Sequence, residues 1–163
     1  MAVIDLKNAI IQVRGGTQPD NKITVVLGEG NLTYDEKRNM DYVRDRGLLD
    51  TVKEGDEEPM DVRLDATWEF ITGTGSEITI EDAMKQRGNA SDWTSTSADA
   101  CEPYAVDIYI LYSPPCGGDQ GETIVLPDFR WESISHDLRA GTLSFTGKCN
   151  NTQATVSRGG VST

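Results

Sequence analysis

Histidine is almost missing from this chain: His136 is the only one in 163 residues. A Ser/His/Asp or Cys/His site would have to use it, and nothing around it resembles a nucleophile elbow. On a strand, His136 and Asp137 point to opposite faces, so adjacency does not make them a dyad. Cysteine is also sparse. Cys101, Cys116 and Cys149 include no CxxC pair, which argues against zinc. Reduced thiols are the default reading, and a Cys101–Cys116 disulfide stays open. No apolar run approaches the 18 or so residues of a membrane helix. The first residues, MAVIDLKNAII, have an early Asp5 and do not read as a signal peptide. Repeats and low-complexity linkers are absent, so a single domain over residues 1–163 is expected.

Positive charge is scarce too. The net charge is −12, and it is unevenly spread. Residues 1–49 are balanced, whereas residues 50–87 hold eleven acidic and four basic side chains. Such acidity argues against a nucleic-acid binder, because affinity for phosphates comes from Lys and Arg.

What the chain does have is a period of two. Met60, Val62, Leu64, Ala66, Trp68 and Phe70 alternate with Asp61, Arg63, Asp65, Thr67 and Glu69. That pattern is a half-buried antiparallel strand with one core face and one polar face. YAVDIYILY (104–112) reads as a central strand. ETIVLP, FRWESIS and TLSFTGK read as further strands, the last two joined through HDLRAG. Phe129, Trp131, Ser133 and Ser135 are expected on one face, opposite the row Leu143, Phe145 and Gly147. KITVVLGEG and NMDYVRDRG add two strands, and residues 88–102 read as a long polar loop. One helix is expected from SEITIEDAMKQRGN. Thr79 and Asp82 form a capping box, Ile80, Ala83, Met84 and Arg87 follow helical spacing, and Gly88-Asn89 is the stop. The expected fold is therefore mainly β: an antiparallel sandwich or barrel of seven or eight strands with one α-helix. A flexible tail is expected from about residue 151.

The abundant carboxylates do not assemble into chemistry. Asp61 and Asp65, or Asp65 and Glu69, lie about 13 Å apart along one strand, too wide for a glycosidase pair within it. EGDEEP lacks the order of a calcium loop. No catalytic residue, metal site or cofactor is read from the sequence. The long strands instead offer edges without proline or an obvious bulge, which invite pairing with another chain.

The run GEGNLTYDEKRNMDYVRDRGLLDTVKEGDEEPMDVRLDATWEF, with ISHDLRAGTLSFTGKCN near the end, resembles the major tail tube proteins of long flexible-tailed bacteriophages. The resemblance covers about residues 1–150. It implies hexameric rings that stack into a tube whose inner barrel takes strands from every subunit. It implies that Asp61, Arg63, Asp65, Thr67 and Glu69 face an acidic lumen through which DNA passes without specific binding. It further implies that residues 47–59 form a loop reaching the next ring, through Leu48, Leu49, Asp50, Val52, Lys53, Glu54, Asp56, Glu57 and Glu58. Met60, Val62, Leu64, Trp68 and Phe70 would face the core. The implied partners are the chain itself, a tape measure protein, a tail terminator and a distal tail protein, with no membrane. The implied location is the virion tail, after assembly in the host cytoplasm. Two other readings stay open: the tube of a contractile injection or type VI secretion system, and a monomeric metal-dependent hydrolase using the acidic cluster.

Overall fold

Alternation of apolar and polar residues produces antiparallel strands throughout. The structure is a computed structural model and describes residues 9–15, 22–25, 27, 30–67, 78–91, 93, 103–114 and 120–158. Its strands are β1 (Ala9–Arg14), β2 (Lys22–Thr24), β3 (Leu32–Asp35), β4 (Met40–Asp45), β5 (Leu48–Glu54), β6 (Met60–Thr67), β7 (Val106–Tyr112), β8 (Glu122–Asp137), β9 (Thr142–Cys149) and β10 (Thr155–Arg158). The helix α1 (Ile80–Lys85) lies between β6 and β7. Every pairing is antiparallel. One eight-stranded sheet runs β2-β1-β7-β8-β9-β6-β3 with β10 on β8, and β4–β5 stands apart as a two-stranded ribbon. The mainly β, antiparallel, sandwich-like fold with one short helix is the one expected. The described strands outnumber the seven or eight anticipated.

β8 is where sequence and structure part. ETIVLP and FRWESIS are one strand of 16 residues, running straight through Pro127. Proline is tolerated there because it falls between Val125, the last partner of β10, and Phe129, the first partner of β9, where no ladder hydrogen bond is required of it. Asp128 follows at φ 58°. The β7–β8 register shifts at Val106/Ile108, and the β8–β9 register shifts at Trp131/Ser133. Bulges bend a strand and raise its twist, so β8 serves two half-sheets that close on one core. Ile11, Val13, Ile108 and Leu126 from one half share that core with Met60, Val62, Leu64 and Phe145 from the other. Each such large buried side chain contributes about 1.5–3 kcal/mol.

The second bulge corrects an expected face. Phe129 is buried, but beyond the bulge it is Ile134 that pairs with Phe145 and packs on the core. Ser133 and Ser135 pair instead with Thr146 and Ser144, on the polar side. One extra residue reverses the alternation. The row Leu143, Phe145 and Gly147 lies inward as expected, and so does Met60, Val62, Leu64 and Ala66. Trp68, Glu69, Phe70, Cys101 and Cys116 lie outside the described residues.

The capping box of α1 is present. The Asp82 N–H donates to Thr79 Oγ1 at 3.2 Å, and the Thr79 N–H donates to Asp82 Oδ2 at 3.4 Å. Ile80, Ala83 and Met84 are buried. The helix stops sooner than expected, because Gln86 already takes the left-handed conformation at φ 51°. Within the segment expected as a tail, β10 pairs with Glu122–Val125 of β8.

Where β7, β8 and β9 meet, Asp107 and Asp128 are buried. The Asp128 N–H donates to Asp107 Oδ1 at 3.1 Å, and Arg130 Nη1 donates to Asp128 Oδ2 at 2.9 Å. Cys149 is buried beside them, and burial, reinforced by the two carboxylates, pushes its thiol up to about 12. Because the thiolate is the reactive form, Cys149 is expected to alkylate with iodoacetamide at pH 8 about a hundredfold or more slower in the folded chain than in urea. Peptide mass spectrometry separates it from the other two cysteines. Equal rates would put the thiol at the surface.

Candidate assembly interface

β8, β9, β6 and β3 form a four-stranded half-sheet with one apolar and one polar face. On the polar face Asp61 pairs across to Lys148, Arg63 to Thr146, Asp65 to Ser144 and Thr67 to Thr142. Thr33 and Asp35 of β3 continue the face on one side, and Ser133, Ser135 and Asp137 of β8 continue it on the other. Of the residues expected to line a lumen, the structure thus brings Asp61, Arg63, Asp65 and Thr67 onto one exposed or half-exposed face.

That face is charge-compensated, as the presence of Arg63 in its polar row allows, rather than acidic throughout. Asp61 is bonded to the Lys37 ammonium, and Lys148 Nζ lies 3.8 Å from its other oxygen. The Lys37 bond holds the Asp61 carboxyl below the usual carboxylate range. Arg63 Nε is 3.6 Å from Asp65 Oδ1, which also accepts from Ser144 Oγ at 2.6 Å. These exposed pairs add little stability. Their effect is to leave a surface rich in serine and threonine, with little net charge.

Among the described residues both flanks of the half-sheet are open. β7 pairs with β8 only as far as Phe129, so along residues 130–137 no described strand lies on that side. At the opposite flank β3 has β6 as its only described neighbour. Unpaired strand flanks of this kind are templates for another chain.

The segment expected as an inter-ring loop is mostly strand. β4 and β5 form a hairpin turned by Arg46 and Gly47, at φ 51° and 84°. Two successive positive φ values make the tight turn that matches strand twist. Sequence obscured this because the register shifts at Val43/Arg44, which breaks the alternation of LLDTVKE. Leu48, Leu49, Asp50, Val52, Lys53 and Glu54 belong to this ribbon, and Asp56, Glu57 and Glu58 to the link into β6. The ribbon joins no described part of the core, and every residue of β5 is exposed. At its base, residues 36–39, 54, 56–58 and 152–153 line a cleft of about 270 Å³.

His136 has a partner that sequence reasoning missed. Its Nε2 lies 3.1 Å from Glu81 Oε1, which ties the end of β8 to α1. Lys85 Nζ donates to the same Glu81 oxygen at 2.6 Å, and Arg87 Nη2 lies 3.6 Å from Oε2. The Lys85 bond, followed by that of His136, holds the Glu81 carboxyl low against the opposing effect of burial. The i,i+4 spacing of Glu81 and Lys85 was visible in the sequence. The histidine, 55 residues away, was not. Among the described residues no three His, Cys, Asp or Glu side chains gather as a metal would require. No described helix is long and apolar enough to cross a membrane.

With this geometry in hand, the fold is found in solved structures. A chain in the extended-state sheath/tube terminator of an extracellular contractile injection system, PVC, superposes with a TM-score of 0.59 at 14% identity. That match covers 96% of this chain and 98% of the other. A chain in the anti-feeding prophage cap, the tube-terminating cap of AFP, gives 0.60 at 10% identity, covering 96% and 92%. A chain in the extended-state PVC sheath–tube complex gives 0.56 at 14%, covering 95% and 91%. At such identities the likeness is one of fold, and it extends over nearly the whole of each chain. No family model matches the chain, and no curated protein does.

Proposed function

We propose that this chain is a structural, non-catalytic subunit of a phage-tail-like tube, in which copies join side by side into a ring. The observation that carries this reading is the half-sheet β8-β9-β6-β3, polar on one face and with both flanks open among the described residues. The β8 flank of one copy pairs with the β3 flank of the next, and rotation closes the series. The polar face then lines the passage, and the apolar face stays on the core. Fold neighbours from contractile injection systems favour a tube of that kind. The resemblance in sequence favours a long flexible phage tail, with hexameric rings, DNA as cargo, and tape measure, terminator and distal tail proteins as partners. In either setting the wall is neutralised by Lys37, Arg63 and Lys148, so it passes a polymer without holding it by charge.

Negative-stain electron microscopy of the concentrated full chain tests this. Rings or hollow rods of uniform width are expected. A protein that stays monomeric in sedimentation at every salt and protein concentration would overturn the proposal.

A further inference from the structure

We infer that Glu81 is a positioning residue for assembly: through His136 it clasps the far end of the β8 flank and holds that strand ready for the next copy. The inference rests on the ring reading above and names what prepares its pairing edge. Beyond Phe129, β8 has parted from β7, and among the described residues it is laddered on one side only, to β9. A strand segment with one neighbour opens locally more readily than one with two. A copy that met a frayed flank would have to order it before pairing, at the expense of affinity.

The structure anchors this flank at both ends from outside the half-sheet. At the near end Arg130 Nε donates to the Pro103 carbonyl oxygen at 2.8 Å, and Trp131 Nε1 donates to Tyr104 Oη at 3.3 Å. Both acceptors lie in the segment that leads into β7. At the far end His136 Nε2 meets Glu81 Oε1 at 3.1 Å. About 16 Å of strand separates Trp131 from His136. His136 pairs across to Leu143, which is buried, so the histidine leaves β8 on the core face. The clasp therefore lies beneath the strand and leaves its edge and its polar face to a neighbour.

Glu81 is held in place by its own helix. Lys85 Nζ donates to Oε1 at 2.6 Å, Arg87 Nη2 lies 3.6 Å from Oε2, and Arg87 Nε is itself fixed on Asp82 Oδ1 at 2.9 Å. The Glu81 side chain is only 12% exposed. A carboxylate fixed in this way keeps its acceptor oxygen in one place, which is what a positioning group requires. The helix does not need the bond for its own seat. Ile80, Ala83 and Met84 bury it against the core, and Thr79 caps it. What the Glu81–His136 bond adds falls on β8.

The test uses the full chain and two variants of similar bulk. Glu81→Leu removes the acceptor, whereas Glu81→Gln keeps an acceptor oxygen. Hydrogen exchange in the dilute subunit reads the clasp without any ring. In Glu81→Leu the amides of residues 133–137 that bond to β9 should exchange about tenfold faster, with those of β6 unchanged, while Glu81→Gln stays within about threefold of the parent. Sedimentation and negative stain read assembly. Glu81→Leu should raise the concentration needed for rings about tenfold or more, the order expected for losing a hydrogen bond to a charged group, and Glu81→Gln should return it close to that of the parent. His136→Leu should reproduce Glu81→Leu, and the two together should cost no more than either alone. Parent-like exchange at 133–137 in Glu81→Leu would overturn the inference and leave the ring proposal standing. So would rings at the parent concentration, or exchange that quickens equally throughout the sheet. Absence of rings in the parent itself would remove the ring reading and the assembly role of Glu81 with it.

Discussion

Gly147→Ala is expected to cost about 3 kcal/mol of stability and to lower the urea midpoint without changing the spectrum of the unfolded chain. Gly147 sits on β9 opposite Trp131, immediately before the β8 bulge. A methyl group there would lie 2.1 Å from the Arg130 carbonyl oxygen and 2.8 Å from Trp131 Cα. Both are backbone atoms, so no side-chain rotation relieves the clash. The sheet has to open at the point where its two halves join. Gly141 in the β8–β9 turn provides the comparison. Its φ is 66°, but an added methyl meets nothing within 4 Å, so alanine there carries only the left-handed penalty of about 1–2 kcal/mol. Equal midpoints for the parent and Gly147→Ala would mean that β8 and β9 do not approach as described.

That glycine also shows how far the sequence could be read. Its place in the apolar row of TLSFTGK was legible, because alternation is local and survives in β9 and β6. The capping box of α1 was legible for the same reason, Thr79 and Asp82 being three residues apart. What was not legible depends on strands that are distant in the chain. Pro127 looks like a strand end until β10 and β9 are seen to leave a gap beside it. The residue that reverses Ile134 and Ser133 leaves no mark in the local sequence, since bulges answer to the partner strand. Charge on the polar face behaves in the same way. Asp61 stands beside Arg63 in the polar row, but its cations come from residue 37 and residue 148. The β4 half of the ribbon was legible as NMDYVRDRG, whereas β5 was hidden by the bulge and by the carboxylates that follow it, which resembled a solvated loop.

The ribbon gives the largest effect expected on assembly. Leu48→Asp combined with Leu49→Asp should leave the folded subunit as stable as the parent to within about 0.5 kcal/mol, since exposed side chains away from the core contribute little. Leu48 and Leu49 are 74% and 72% exposed and touch no core cluster. Stacking, in contrast, should be lost. Register places Leu49 beside Arg44 and Leu48 beside Asp45, so the pair removes apolar contact from both ribbon faces. Covering a leucine stabilises by about 1.5–3 kcal/mol, and covering an unpaired carboxylate in its place is unfavourable. A ring multiplies that difference by its number of subunits, because every ribbon engages at once. Thermal unfolding of the dilute subunit and sedimentation of the concentrated one read the two effects separately. Full-length rods from the double variant would mean that the ribbon stays in solvent after assembly, and the stacking contact would then have to lie on the sandwich itself.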